Sequence, residues 1–357
     1  VKRNLLPSLI LLLLFSVLSA QAQPLKAWAY AVPWMPDGWK DQPLQDLERV
    51  VVFDMSVDAL GEINGGSGWP ERWQALRARA EVSGTKLELG ISCLNEITFD
   101  AIFSSAAART RLLEGLTELA RGDDVAGLHI DFEVYGSVPT AAVTEYQNFL
   151  LLLASRLHSM NKSRELSVFY PAGVDVALYD ARTLAQTDYI VLQGYDMHWL
   201  HSTHAGPLSP LAGEQSMNWQ AIIASALQAG ATRDKLLMGF PLYGYEWPVL
   251  TDDARSQTLG EGQALYFSAS ADDAHKQPIA SIKERIRHYG VVYEPESGSA
   301  YFQYKKSDVF FAGWFEDEVS LRKKARFLHE QGLSGIAFFA LGYDRGQLVK
   351  RFMHERH

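Results

Sequence analysis

The chain has 357 residues, a formal net charge of −9 and one cysteine, with nine Trp, fifteen Tyr and seventeen Phe. An acidic protein has no electrostatic attraction for nucleic acid or an anionic membrane, and a lone thiol, Cys93, excludes an internal disulfide framework. The aromatic supply is rich enough to fill a core and still leave rings to stack on sugars.

Lys2 and Arg3, an apolar run over residues 9–18 and a small-residue Ala20-Gln21-Ala22 step read as a cleavable secretory signal peptide spanning residues 1–22. The run is short for a bilayer span of about 20 residues, so we expect cleavage, no stable membrane anchor and a periplasmic or secreted protein. No Cys lies beside the step to carry a lipid. Removing Lys2 and Arg3 takes the charge from −9 to −11. Residues 23–357 suffice for one large α/β domain.

A first apolar strand over 27–32 is followed by Pro33-Trp34-Met35-Pro36, a loop carrying an exposed aromatic. Residues 50–54 form a continuous apolar run ending in Asp54, the pattern of a strand buried on both faces. Ser67-Gly68-Trp69-Pro70 opens a helix running to about Val82, strand three covers 86–92, and a helix over about 108–121 follows Asn95. In the fourth strand, Gly127-Leu128-His129-Ile130-Asp131-Phe132-Glu133, ionisable residues alternate with apolar ones, so His129, Asp131 and Glu133 share a face. Two carboxylates buried on one face oppose each other's ionisation unless one of them holds a proton, which is how a general acid is made. Glu133 falls at the strand's C-terminal end. Further on come a helix over 140–159, strands at 166–170, 189–194 and 236–241, a short helix near 180–185, a helix over 219–229, a helix over 318–330 and an eighth strand within 333–341.

Eight alternations of strand and helix predict a (β/α)8 TIM barrel, where catalytic groups stand at strand C-termini. An open doubly wound sheet shares the alternation, but no Gly-rich phosphate loop follows the first strand. Residues 248–308 are too many for a plain loop between the seventh and eighth barrel strands. A helix over 279–289 and a hairpin around Glu294-Pro295-Glu296-Ser297-Gly298-Ser299 predict a small α+β insertion walling one side of the cleft.

The strand ends carry four motifs in order: Ala126 to Glu133, then Gln193-Gly194-Tyr195-Asp196, Gly239-Phe240-Pro241-Leu242-Tyr243-Gly244 and Phe338-Phe339. Together they resemble family 18 glycoside hydrolases, the chitinase family, with its D-G-x-D-x-D-x-E, M-x-Y-D, G-x-P-x-Y-G and terminal aromatic pair. Ala126 and His129 stand where that pattern has its first two Asp, and Phe339 where it usually has Trp. The resemblance is closest to the branch of bacterial spore cortex peptidoglycan N-acetylglucosaminidases, which tolerate a residue other than Asp at the His129 position. Members carry an insertion where this chain has one, and Trp314-Phe315-Glu316-Asp317 with Ser320 resembles theirs.

The resemblance implies a retaining hydrolase of β-1,4-linked N-acetylglucosaminides, in chitin oligosaccharides or peptidoglycan strands, using the substrate's own 2-acetamido carbonyl as nucleophile. It implies catalytic roles for Glu133 as acid/base, Asp131 orienting the acetamido group, Tyr195 donating to its oxygen and Asp196 holding a distorted ring. Phe339 would floor the pocket. Trp34, Trp199, Tyr243 and Trp247 are candidate sugar platforms, and Gln193 and Asn95 candidate polar contacts. His129 has two readings: it adjusts Asp131, or it is a satisfied buried histidine. His198, His201 and His204 near Asp196 raise a metal-dependent hydrolase, but Gly206-Pro207 makes a loop of the segment and no metal or cofactor is expected. A catalytically silent sugar-binding barrel is the alternative from another class. The expected partner is an N-acetylglucosamine-containing polysaccharide or oligosaccharide, the expected state a monomer.

Overall fold

The computed structural model describes residues 23–65, 68–174, 177–213, 217–268 and 281–357, so the signal-peptide reading of 1–22 lies outside the described residues. Eight parallel strands form a closed barrel: β1 (Lys26–Ala31), β2 (Arg49–Val57), β4 (Lys86–Cys93), β5 (Val125–Phe132), β6 (Glu165–Tyr170), β7 (Tyr189–Leu192), β8 (Leu236–Pro241) and β14 (Gly335–Phe339). Closure is made by β1, which pairs with β14 on one side and β2 on the other. β3 (Ile63–Asn64) adds an antiparallel fringe to β2 at Val57. The barrel read from the strand–helix alternation is thus the observed fold.

Its helices are α1 (Gln74–Ser83), α2 (Glu96–Ser104), α3 (Ala106–Leu119), α4 (Thr140–His158), α5 (Ala181–Gln186), α6 (Trp219–Gln228), α8 (Glu318–Gln331) and α9 (Gln347–Glu355). Local chemistry sets their ends. Asp180 and Asp317 open α5 and α8 with reciprocal capping boxes, and Gly332 closes α8 in the left-handed region. The helix read over 108–121 is α3, and α2 before it was not read; Ser105 separates the two by leaving helical geometry, its hydroxyl capping α3 through the Ala108 N–H. The C-terminal α9 has no counterpart in the sequence reading; buried Asp344 accepts the N–H groups of Gly346, Leu348 and Val349 at its start.

Between β8 and β14 lies a five-stranded antiparallel sheet in the order β10-β9-β13-β12-β11. Its strands are β9 (Tyr243–Val249), β10 (Gln263–Tyr266), β11 (Val292–Tyr293), β12 (Ala300–Lys306) and β13 (Val309–Phe315), with α7 (Ile282–Tyr289) against one face. The sheet starts at Tyr243 and ends at Phe315, wider than 248–308, because β9 and β13 form its centre. Part of the helix read over 279–289 and the loop before it fall on 269–280, outside the described residues.

The barrel interior is a hydrogen-bonded column. At its N-terminal end the buried Arg49 guanidinium pairs with Glu88 and with Glu165 at 2.5 Å, and it stacks 4.3 Å from the Trp28 ring. Gly127 is obligatory beside it, since a Cβ there would sit 2.3 Å from the Glu165 carbonyl. Above, the Ser167 hydroxyl donates to Glu88 Oε2 at 2.6 Å and lies 2.7 Å from His129 Nδ1, while His129 Nε2 lies 3.0 Å from the Tyr30 hydroxyl. With its hydrogen spent on Glu88, Ser167 can only accept from Nδ1–H, so Nε2 accepts from Tyr30. Burial, then the Arg49 charge, pushes His129 down to about 3, and the imidazole is neutral. Of its two readings, the satisfied buried histidine holds.

Removing one partner of the buried pair strands a charge. Arg49→Leu is expected to cost about 3–5 kcal/mol of stability, and Glu88→Gln added to it to recover part of that, both read from denaturant unfolding midpoints. An Arg49→Leu protein as stable as the parent would show that the column does not anchor the barrel.

Candidate active site

The C-terminal ends of β5, β7, β8 and β14 bring the catalytic candidates to one mouth. Asp131 is nearly buried in the last turn of β5, and Glu133 follows it, its N–H bonded to the Cys93 carbonyl of β4 at 2.9 Å. Burial, then the charge of Asp196, raises the pKa of Glu133; a hydrogen bond from the Tyr135 hydroxyl to Oε2 opposes the rise. Asp196 sits just beyond β7 with φ at 60°, a left-handed conformation uncommon outside glycine. Its Oδ1 accepts the Tyr243 hydroxyl at 2.6 Å and the Tyr245 hydroxyl at 3.0 Å. Burial outweighs both donors and carries Asp196 up to about 6. Tyr195 beside it is held well above the usual phenol range by burial and by the neighbouring acids, so its hydroxyl remains a donor.

Phe339 floors the mouth, its ring centroid 5.4 Å from Tyr30, 5.7 Å from Tyr195, 6.0 Å from Phe53 and 6.4 Å from Trp34. Trp34 is fixed by its Nε1–H donating to the Tyr343 hydroxyl at 2.7 Å. The result is an aromatic bowl under Asp131, Glu133, Tyr195 and Asp196, shaped for a ring with one apolar face and polar edges.

Other candidates are placed differently. Trp247 is 0% exposed, its Nε1–H on the Trp199 carbonyl at 3.2 Å, and no ring face is open; this corrects its assignment as a sugar platform. Tyr243 is also buried and serves as a donor to Asp196, not as a stacking surface. Asn95 caps α2, its Oδ1 taking the Thr98 N–H at 3.0 Å. Trp199, 49% exposed, keeps an open face. Gln193 Oε1 accepts the Ala172 N–H at 2.8 Å and lies 3.2 Å from the Tyr135 hydroxyl.

The three loop histidines diverge. His198 Nδ1 bonds the Pro207 carbonyl at 2.9 Å, His201 faces Glu261 at 3.7 Å and His204 lies 3.3 Å from the Thr203 hydroxyl. Among the described residues, no three His, Cys, Asp or Glu are grouped to hold a metal ion.

Sequence reasoning missed Tyr135, Tyr245, Tyr30 and Glu96. The signal for Tyr245 was present, since Tyr243-Gly244-Tyr245 alternates along a strand and puts both hydroxyls on one face. Glu96 Oε1 takes the N–H groups of Tyr135 at 3.1 Å and Gly136 at 2.7 Å, pinning the loop after Glu133 to the first turn of α2.

A curated relative, an uncharacterized glycosylase, YvbX, of Bacillus subtilis (strain 168), is 26% identical over 253 residues; the match covers 68% of this chain and 65% of the relative. A class V chitinase of Arabidopsis thaliana is 26% identical over 299 residues, covering 78% and 74%. The chain thus spans about two thirds of the length of the first of these relatives and under half of an oviduct-specific glycoprotein of Mesocricetus auratus, of which it covers 42%. In fold it is similar to the spore cortex-lytic enzyme SleL of Bacillus cereus, with a TM-score of 0.75 at 19% identity over 93% of this chain and 74% of that one. A Cycas revoluta chitinase crystallised with (GlcNAc)4 gives a TM-score of 0.76 at 18% identity over 92% and 99%. The family profile described as glycosyl hydrolases family 18 matches residues 37–344, nearly the whole barrel and its second sheet, and the chain belongs to that family.

Proposed function

We propose that this protein is a retaining hydrolase of β-linked N-acetylglucosaminides, in chitin oligosaccharides or peptidoglycan strands, with Glu133 as general acid and base. The observation that carries the reading is Glu133 itself, a carboxyl at the catalytic rim whose neutral form is favoured by burial and by the Asp196 charge. Such a group holds its proton more firmly than a free carboxyl and can give it to a glycosidic oxygen. The substrate's acetamido oxygen then attacks C1, so no second carboxylate is needed as nucleophile. Asp131, on the same strand face, orients the acetamido group and balances its developing positive charge. Tyr195, kept protonated, donates to the acetamido oxygen, and Phe339 with Trp34 supports the sugar ring. Ionised Asp196 serves twice, by raising Glu133 and by favouring the oxazolinium cation. The similar chitinases and the spore cortex-lytic enzyme frame the two glycans. A leader over residues 1–22, read from the sequence, would export the enzyme to where such polymers are met.

The test is digestion of chitooligosaccharides and purified peptidoglycan by the chain, products identified by mass, beside Glu133→Gln. We expect cleavage that falls by about 10²-fold or more in the variant, which keeps the shape and removes the transferable proton. Sugar binding without cleavage by the parent chain would instead establish a binding protein.

Because the ionised form of Asp196 is the active one, the rate should fall on the acid side around pH 6. Tyr243→Phe removes a donor that favours ionisation, so that acid limb should move up by about half to one pH unit; a limb that stays in place would take Asp196 out of this role.

A further inference from the structure

We propose that Tyr135 is a two-way hydrogen-bond partner of the acid/base carboxyl, retaining Glu133 in both protonation states through Gln193; the proposal rests on Glu133 acting as acid and base. Tyr135 stands in the loop after β5, 52% exposed, and carries no motif. Its hydroxyl donates to Glu133 Oε2 and lies 3.2 Å from Gln193 Oε1. The Gln193 amide is oriented by the Ala172 N–H at 2.8 Å, which fixes its oxygen, not its NH2, toward the tyrosine. Glu96 holds the Tyr135 backbone from α2, so the phenol is aimed by the fold.

A phenol has one hydrogen and two lone pairs. When Glu133 is ionised, Tyr135 donates to it. When Glu133 is protonated, the carboxyl donates to the phenol oxygen and the phenol hydrogen turns to Gln193 Oε1. Neither state leaves a donor unused, which matters because the retaining reaction needs both. In the first step the Glu133 proton passes to the leaving oxygen, the C1–O bond breaks and the acetamido oxygen bonds C1; the new carboxylate accepts from Tyr135. In the second, water bonds C1, the bond from C1 to the acetamido oxygen breaks and the water's proton returns to Glu133, whose hydrogen is held on Tyr135 until the next glycosidic oxygen displaces it. Tyr135 is therefore a positioning residue. Gln193, at the place where the family pattern has Met, gains a function that a thioether cannot supply.

The other groups facing Glu133 are Asp131 on its own strand, Tyr195 and Asp196 beyond β7 and Tyr30 on β1. Asp196, carried up to about 6 by burial, titrates in the physiological range itself, so the test controls for it.

The experiment titrates the Glu133 carboxyl by 13C NMR in glutamate-labelled protein, its signal identified by loss in Glu133→Gln, beside pH profiles of kcat/KM on a chitooligosaccharide. Tyr135→Phe removes the donor to the ionised form, so the Glu133 pKa and the alkaline limb should both rise by about one unit. Gln193→Met removes the acceptor needed by the protonated state, so both should fall by about half a unit. The opposite signs should persist in an Asp196→Asn background. A Glu133 pKa unmoved by both variants overturns the relay, as does a shift that vanishes with Asp196. A parent chain that cleaves nothing while the NMR shifts appear would overturn the assigned reaction and leave the hydrogen-bond relay standing.

Discussion

Desolvation acts on three ionisable groups along the barrel axis, and what each can bond to decides the outcome. His129 loses its charge to burial and is still satisfied, because a neutral imidazole offers one donor and one acceptor and the column presents one of each complement. Asp196 is pushed up by burial but pulled back by two tyrosine hydroxyls, which leaves it near the middle of the physiological range. Glu133 has one phenol donor and an acidic neighbour, so its neutral form gains. The same physical cost thus yields a neutral spacer, a titratable base and an acid within one barrel.

The column also explains why His129 suits this chain. Ser167 spends its only hydrogen on Glu88, which Arg49 anchors from below. A carboxylate at position 129 would compete with Glu88 for that hydrogen and set a second negative charge against it. An imidazole relays the polarity instead, from the Tyr30 hydroxyl through Nε2 and Nδ1 to Ser167. The departure from the family pattern at 129 and the Glu88–Arg49 pair belong to one arrangement.

The barrel was legible because strands buried on both faces appear as plain apolar runs, as over 50–54 and 236–241, and because their ends carry motifs in order. The short α2 was not, since its nine residues lie between the Asn95 cap and Ser105 and are too few to carry a long apolar period. Among the site residues, Asp131, Glu133, Tyr195 and Asp196 stood out by alternation and by resemblance, and the fold brings them to one mouth. Aromatics defeated the reading: Trp199 and Trp247 are alike in sequence, yet one lies open on a loop while the other is packed where Gly262 approaches its ring. Tyr135 escaped because it lies just past the strand, where the period of two no longer says which way a side chain points.

The second sheet is bound into the chemistry through β9. Its alternation sends Tyr243, Tyr245 and Trp247 to one face, where the first two hold Asp196 and the third locks the loop bearing Trp199. Glu246, on the other face, pairs with Arg285 of α7 at 2.9 Å. A shift of one residue in the pairing of β9 with β13 would exchange these faces, setting glycine and a carboxylate against Asp196 in place of two donors. Ionisation of Asp196 would then cost more, and the contribution its charge makes, beside burial, to the raised Glu133 would shrink. The register of a sheet outside the barrel therefore bears on the ionisation of Asp196 at the barrel's mouth.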